Sequence, residues 1–304
     1  MEKSTDSFYH TSVLLQESVD ALNIRPDGVY VDATFGGGGH SKEILDRLGA
    51  DGRLIGFDQD EDAQQNALLD ERFTLVQANF CELKRFLRLH GVQQVNGILA
   101  DLGVSSWQFD VAERGFSFRF DGPLDMRMNR QQETDAAMLL NSYSAEQLQQ
   151  MFSNYGEVRN AKTLANAIAE VRNVKPLNTI ADLKNIAQQC RMGEEHKYLA
   201  QVFQAVRMEV NGELAALESL LQQSAEVLAP GGRLAVITFH SLEDRLVKNF
   251  MKHSTFNDEP EKDIYGNFSK YFRLMTKKPI EPTEKEKKEN SRSRSAKLRI
   301  AEKT

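Results

Sequence analysis

The sequence predicts an α/β fold: a doubly wound, mostly parallel sheet with a helical domain inserted into it. Three observations carry that expectation. Residues 29–101 alternate β-branched runs with helical periodicity over short connections. A glycine-rich turn separates the first strand from the first crossover helix. From Trp107 to about residue 210 the strands give way to helical periodicity alone, and a strand–helix pattern then returns.

Taken in order, an amphipathic segment Val13–Leu22 follows a polar start that includes Tyr9 and His10. The turn Pro26-Asp27-Gly28 delivers the chain into a first strand, Val29-Tyr30-Val31. That strand runs through Asp32 into four glycines, Gly36 to Gly39. A helix then begins at Ser41, with Ile44, Leu45 and Leu48 at helical spacing. Strand, glycine turn and helix are the parts of a nucleotide-cofactor loop. Glycines let the backbone turn sharply and approach a ligand, while the helix start offers unpaired N–H groups.

A second strand, Arg53–Phe57, ends at Asp58, whose carboxylate is placed to accept hydrogen bonds from ribose hydroxyls. Glu61–Leu69 reads as a helix and Phe73–Gln77 as a third strand. Phe80, just beyond that strand, is a candidate cover for an adenine face. A helix over Glu82–His90 leads to a fourth strand from Val95, with Asp101 at its tip and a small-residue loop to Ser106. Asp32, Asp58 and Asp101 thus put a carboxylate on three parallel strand tips, the pattern of a ligand crevice.

The stretch Trp107–Arg130 is loop-like, and helices are expected at Ser144–Phe152, Ala161–Val171 and Ile180–Gln189. The sheet pattern resumes with a long helix over Val210–Leu221 and a turn at Pro230-Gly231-Gly232. A strand over Arg233–Phe239 and a helix from His240 follow. Residues 254–295 read as a connection and Lys297–Ala301 as the last strand. The expected domains are therefore 1–106 with 211–304, and 107–210 between them.

At 304 residues, with 40% hydrophobic and 27% charged residues, the chain has the composition of a soluble globular protein. Cys81 and Cys190 form neither a disulfide framework nor a zinc site by themselves, so a cytoplasmic, reducing location is expected. No apolar signal core or membrane-length apolar run is present, so no membrane partner is expected. The net charge of −6 argues against wholesale coating of nucleic acid. It is unevenly spread: residues 270–304 carry a local +7, a candidate phosphate-contact surface or a solvated end.

Seven motifs in one order then point to a family. They are Asp32–Ser41, Asp101–Ser106, Glu113–Phe118, Gly122–Met128, Phe203–Arg207 with Val210-Asn211, Ala229–Arg233 and Phe239–Arg245. Together they resemble the bacterial 16S ribosomal RNA (cytosine-N4)-methyltransferases of the MraW type. The resemblance runs from about His10 to Ala301 and departs from the family pattern at Glu195–Phe203 and after Met251. It implies a Rossmann-like class I methyltransferase sheet with an inserted helical domain for substrate recognition. It also implies S-adenosylmethionine as cofactor and a cytidine in the decoding region of 16S rRNA, in the small ribosomal subunit, as target. Carried over by motif, the cofactor contacts are Gly38, Gly39, His40, Asp58, Phe80, Asp101 and Gln108.

The exocyclic amine of cytosine is a weak nucleophile because its lone pair is delocalised into the ring. Acceptors gripping its N–H bonds localise that pair and take the proton, a role that falls to Asp101 or to carbonyls of the loop after it. His40 suits the methionine carboxylate or the turn itself, and no metal spacing surrounds it. His240 is read as a cap, a pocket residue or a catalyst, and Trp107 as a stacking or packing residue. Asp125 and Arg127 read as RNA-pocket residues or as a structural ion pair. Lys285, Lys287, Lys288, Arg292, Arg294 and Lys297 are candidate phosphate contacts. A dinucleotide-dependent oxidoreductase, a non-catalytic ribosome-assembly factor and a small-molecule methyltransferase stay open as alternatives. So does a homodimer.

Overall fold

The structure, a computed structural model, describes residues 12–260 and 270–304. Tyr9 and His10 lie outside the described residues. The chain divides into two compact units, Met1–Gly103 with Ala216–Thr304, and Val104–Ala215.

The first unit opens with α1 (Leu15–Ala21) and β1 (Val29–Asp32), followed by α2 (Gly39–Arg47) and β2 (Arg53–Asp58). A 3-10 helix, Glu61–Asn66, stands where the sequence suggested a longer helix. Its run of polar residues offers a single buried side chain, Ala63, so there is no apolar stripe to hold further α-helical turns. Next come β3 (Phe73–Gln77), α3 (Leu83–Leu89) and β4 (Val95–Asp101).

The second unit is helical: α4 (Ser106–Asp110), α5 (Ala136–Ser142), α6 (Ala145–Gly156), α7 (Ala161–Val174), α8 (Ile180–Cys190) and α9 (Glu195–Asn211). Three of these open on full capping boxes, at Ser105 with Gln108, Ser144 with Gln147, and Thr179 with Asp182. Their apolar stripes converge on a core that includes Leu140, Leu148, Phe152, Leu164, Leu183 and Val202, all fully buried. The irregular stretch before α5 is pinned from inside. Arg114 is 1% exposed and donates to the carbonyls of Arg127 (3.0 Å) and Met128 (3.2 Å). Asp125 grips Arg127 through two hydrogen bonds of 2.9 and 2.8 Å, which is the structural ion pair of the two sequence readings.

The expected single helix over Val210–Leu221 is two. Gly212, at φ +57°, ends α9 in the left-handed conformation, and α10 (Glu213–Val227) starts one residue later. β5 (Leu228–Thr238), α11 (Ser241–His253), β6 (Phe272–Leu274), α12 (Glu284–Glu289) and β7 (Lys297–Lys303) complete the chain. The anticipated Pro230-Gly231-Gly232 turn sits inside β5. Leu228 pairs with Val95 and Arg233 with Gly97, so the residues between loop out of the ladder. β6 and α12 escaped the sequence reading because one is three residues long and the other has no buried side chain.

The sheet order is β3-β2-β1-β4-β5-β7-β6. β1 to β5 are parallel, and β7 runs antiparallel between β5 and β6. This is the doubly wound, mostly parallel, Rossmann-like sheet that the sequence predicts. Its two faces follow from the two-residue period of a strand. Val31, Ile55, Ile98 and Val236 face one way, with Leu220 of α10 and Phe250 of α11. Their neighbours Tyr30, Leu54, Leu99 and Ile237 face the other, with Ile44 and Leu45 of α2. Burial on both faces explains why the strands read as continuous apolar runs.

Asn211 ties the last turn of α9 to the pinned stretch. Its Oδ1 accepts from Met128 N (2.7 Å) and its Nδ2 donates to the Met126 and Arg207 carbonyls (both 2.8 Å). Asn211→Ala is expected to lower unfolding free energy by about 1–3 kcal/mol, because it leaves half-buried backbone groups without partners. Urea unfolding measures this; an unchanged midpoint would show that the stretch is held elsewhere.

Candidate cofactor and catalytic site

The C-terminal ends of β1, β2 and β4 lie side by side in the sheet, the edge at which open α/β sheets bind ligands. Between β1 and α2 the glycine turn uses the freedom that glycine alone provides. Gly36 (φ +50°) and Gly38 (φ +76°) both adopt left-handed backbone, and an added Cβ on Gly37 would meet nothing within 4 Å. Gly38 caps α2, so Gly39 and His40 occupy its first turn, where N–H groups lack intrahelical partners. The turn is latched to the next strand tip. Asp58 accepts from Gly36 N (2.8 Å) and Asp60 N (2.9 Å), and Asn66 donates to the Gly36 carbonyl (3.0 Å).

Burial pushes the Asp58 carboxyl up to about 6, against the two amide hydrogen bonds that favour its ionised form. Beyond β3, Asn79 donates to Gln59 (2.8 Å), which ties the loop carrying Phe80 to the residue after Asp58. Phe80 itself is half-buried, its inner side against the sheet core.

Deeper in, three acidic side chains share one region. Asp32 is 1% exposed and accepts from Ser41 Oγ (2.7 Å) and Thr34 N (3.1 Å). Thr34 Oγ1 in turn accepts from Asp101 N (2.6 Å), locking the tip of β4 to β1. Oδ1 of Asp101 is buried without a hydrogen-bond partner among the described residues. Burial raises the Asp101 carboxyl well above the usual range, and the nearby charges of Asp32 and Glu243 raise it further. Glu243 is 3% exposed and accepts from Phe239 N (2.9 Å).

His40 is buried at the start of α2, with Nε2 3.1 Å from the Val13 carbonyl oxygen and Nδ1 3.9 Å from Asp101 Oδ2. Burial lowers its pKa, although Asp32 and the Val13 carbonyl pull the other way. Next to Val13, Leu14 holds a left-handed φ of +50° while 1% exposed, and its N–H donates to Glu286 of α12 (2.8 Å). A non-glycine residue kept in that conformation costs of order 1 kcal/mol and persists only where its surroundings impose it.

The structure thus gathers Gly38, Gly39, His40, Asp58 and Asp101 at one sheet edge. Gln108 belongs to the helical unit, where its Oε1 accepts from Ser105 N (2.9 Å). His240 caps α11 and lies 3.1 Å from Glu243, the first of its three sequence readings. Trp107 is 59% exposed, which disfavours a core-packing role. Sequence reasoning did not single out Thr34, Glu243 or Val13. The Asp32-Ala33-Thr34 spacing is a local hydrogen-bonding signal for the first; a carbonyl oxygen, as at Val13, leaves no trace in residue type.

The family match decides what this geometry belongs to. The MraW methylase family model matches residues 7–304. The chain belongs to the MraW methylase family. Curated relatives share its full length. A protein of Flavobacterium johnsoniae is 55% identical over 301 residues, 99% of both chains. One of Flavobacterium psychrophilum is 57% identical over 291 residues, 95% of this chain and all of its own. One of Bacteroides thetaiotaomicron is 55% identical over 304 residues, all of both. Each is named ribosomal RNA small subunit methyltransferase H. This MraW-family chain is a methyltransferase, and its methyl donor is S-adenosylmethionine.

The residues present fit that cofactor. The open side of Gly37 gives room for close approach, and the first turn of α2 favours a carboxylate. Asp58 is half-buried, and each carboxylate oxygen keeps acceptor capacity beyond the one amide hydrogen bond it accepts. The orphaned Oδ1 of Asp101 asks for a donor or a positive charge.

Ser41→Ala removes the donor to a buried carboxylate oxygen of Asp32 and is expected to lower stability by about 1–3 kcal/mol. Asp32 already has a raised pKa, and the loss applies to its ionised form. The penalty should therefore be largest above that raised pKa and shrink as acidification protonates Asp32. Paired unfolding curves at pH 5 and pH 8 measure it; a penalty that grows on acidification would contradict the assignment.

Proposed function

We propose that this chain methylates the exocyclic N4 of a cytidine in the decoding region of 16S rRNA, acting on the small ribosomal subunit in the cytoplasm. The names of the full-length relatives support an rRNA substrate of that subunit. Among the described residues no helix is long and apolar enough to cross a membrane. The single observation that carries the chemistry is the buried Oδ1 of Asp101, without a partner at the tip of β4.

In this reading the sheet unit binds cofactor and the helical unit recognises substrate. N–H groups of Gly38, Gly39 and His40 receive the methionine carboxylate, Asp58 the ribose hydroxyls and Phe80 the adenine face. By the family resemblance, Gln108 is a further candidate contact. When bound, the cofactor supplies an electrophilic methyl group on a positively charged sulfur. Asp101 grips the amine N–H, localises its lone pair and holds it in line, and positioning of this kind accounts for much of a rate acceleration.

The basic end contributes less free charge than its sequence suggests. Lys287 pairs with Glu284 (3.0 Å), and Lys297 lies 3.6 Å from Asp244. Lys285, although exposed, lies 3.9 Å from Glu289, and Lys288, also exposed, is the stronger candidate for phosphate contact.

The decisive experiment incubates the protein with methyl-labelled S-adenosylmethionine and small subunits lacking the modification, followed by nucleoside mass spectrometry. N4-methylcytidine on the particle is expected, with Asp101→Asn reducing turnover by roughly 10²–10⁴ at retained cofactor binding. Cofactor binding without labelled RNA would overturn the substrate assignment.

Asp58 makes cofactor affinity depend on pH. Ribose hydroxyls donate best to an ionised carboxylate, and this one protonates at about 6. Calorimetric titration with S-adenosylhomocysteine should show constant affinity above that value, falling toward tenfold per pH unit below it. A flat profile from pH 5 to pH 8 would remove Asp58 from the ribose contact.

A further inference from the structure

Behind Asp101 stands a second titratable group whose orientation is fixed. The Val13 carbonyl oxygen, 3.1 Å from Nε2 of His40, can only accept, so Nε2 carries the proton of the neutral ring. A bare Nδ1 is then left facing Oδ2 of Asp101 at 3.9 Å. That separation exceeds a hydrogen bond by about 1 Å. The charged groups around this pair are Asp32 from β1, which bears on both, and Glu243 from α11, which bears on Asp101. Asp32 is itself fixed by Ser41 and Thr34.

A difficulty in the chemistry gives this arrangement its meaning. A carboxyl surrounded by two other carboxylates in a desolvated site holds its proton, and a protonated carboxyl is no base. A carboxyl with a bare imidazole nitrogen at one oxygen and the reacting amine at the other escapes that limit, because it takes a proton on one side as it gives one up on the other.

We propose that His40 is a positioning residue that makes Asp101 a competent acceptor: its Nδ1 takes the proton from Oδ2 as Oδ1 accepts the proton of the substrate amine. This rests on the reading of Asp101 as the amine acceptor given above. The amine nitrogen bonds to the methyl carbon, the carbon–sulfur bond breaks, and its electron pair stays on sulfur. The nitrogen loses one proton to Oδ1. The proton on Oδ2 moves to Nδ1, and the carboxylate of Asp32 balances the resulting imidazolium. The two directions already noted, Asp101 up and His40 down, describe the starting state this step needs.

His40→Gln separates this role from a structural one. The glutamine amide keeps an N–H donor for the Val13 carbonyl and has no counterpart of Nδ1. The full-length variant should fold and bind S-adenosylhomocysteine as the parent does, with kcat lowered roughly 10²–10⁴-fold and KM little changed. Its pH profile should also move. In the parent, kcat falls on the acid side as His40 protonates, below the ordinary imidazole value of about 6.5. In the variant, turnover has to wait for Asp101 to ionise, so the acid limb no longer follows His40 and moves. A readout independent of turnover is the ¹⁵N spectrum of the cofactor-free protein, which should show His40 as the Nε2–H tautomer. Its titration should change in Asp101→Asn.

Parental kcat with an unmoved acid limb in His40→Gln would overturn the proposal, as would an Nδ1–H tautomer. Near-normal turnover in Asp101→Asn would remove the underlying acceptor reading, and the proposal with it. A dead Asp101→Asn beside a normal His40→Gln would remove the pairing alone.

Discussion

The site depends on one constraint, the confinement of negative charge at the edge where β1 and β4 meet. Asp32, Asp101 and Glu243 lie close enough for Asp32 and Glu243 to raise Asp101, with little water to screen them. Such a cluster opposes folding unless each oxygen has a donor. Ser41, Thr34 N and Phe239 N provide three, and the imidazole of His40 faces the group from α2. Oδ1 of Asp101 is buried without a donor among the described residues, and it is the atom that the chemistry needs.

Much of the sheet was legible in the sequence because it is buried on both faces. Val29–Val31, Arg53–Phe57, Phe73–Gln77 and the run to Asp101 all became strands, since apolar runs bounded by turn residues have few other ways to pack. Illegible elements were those whose form depends on distant partners. β6 exists because β7 offers it an edge, and the Pro230–Gly232 segment became a looped-out part of β5 because β4 continues beside it. Two helices replaced one near residue 212, where a left-handed glycine gave the cue.

For the site, residue types revealed the strand-tip carboxylates and the glycine turn, because chemistry and backbone geometry restrict those positions to few amino acids. They did not reveal how the groups face one another. His40 read as a contact to the methionine carboxylate or to the turn itself; its ring nitrogens face Val13 and Asp101. The orientation of an imidazole is set by a carbonyl oxygen, and every residue has one.

Residues 13 and 14 connect this site to a remote part of the chain. Val13 orients His40, while the next residue holds an unfavourable backbone angle and is bonded to Glu286 of α12. β7, which follows α12, slots between β5 and β6 instead of adding to an edge. A chain emerging from its N-terminus therefore carries the glycine turn and all three aspartates long before the parts that finish the sheet and brace Leu14. Residues 284–303 are thus architectural for residues 13 and 14, and the site takes its form only once β7 has joined the sheet.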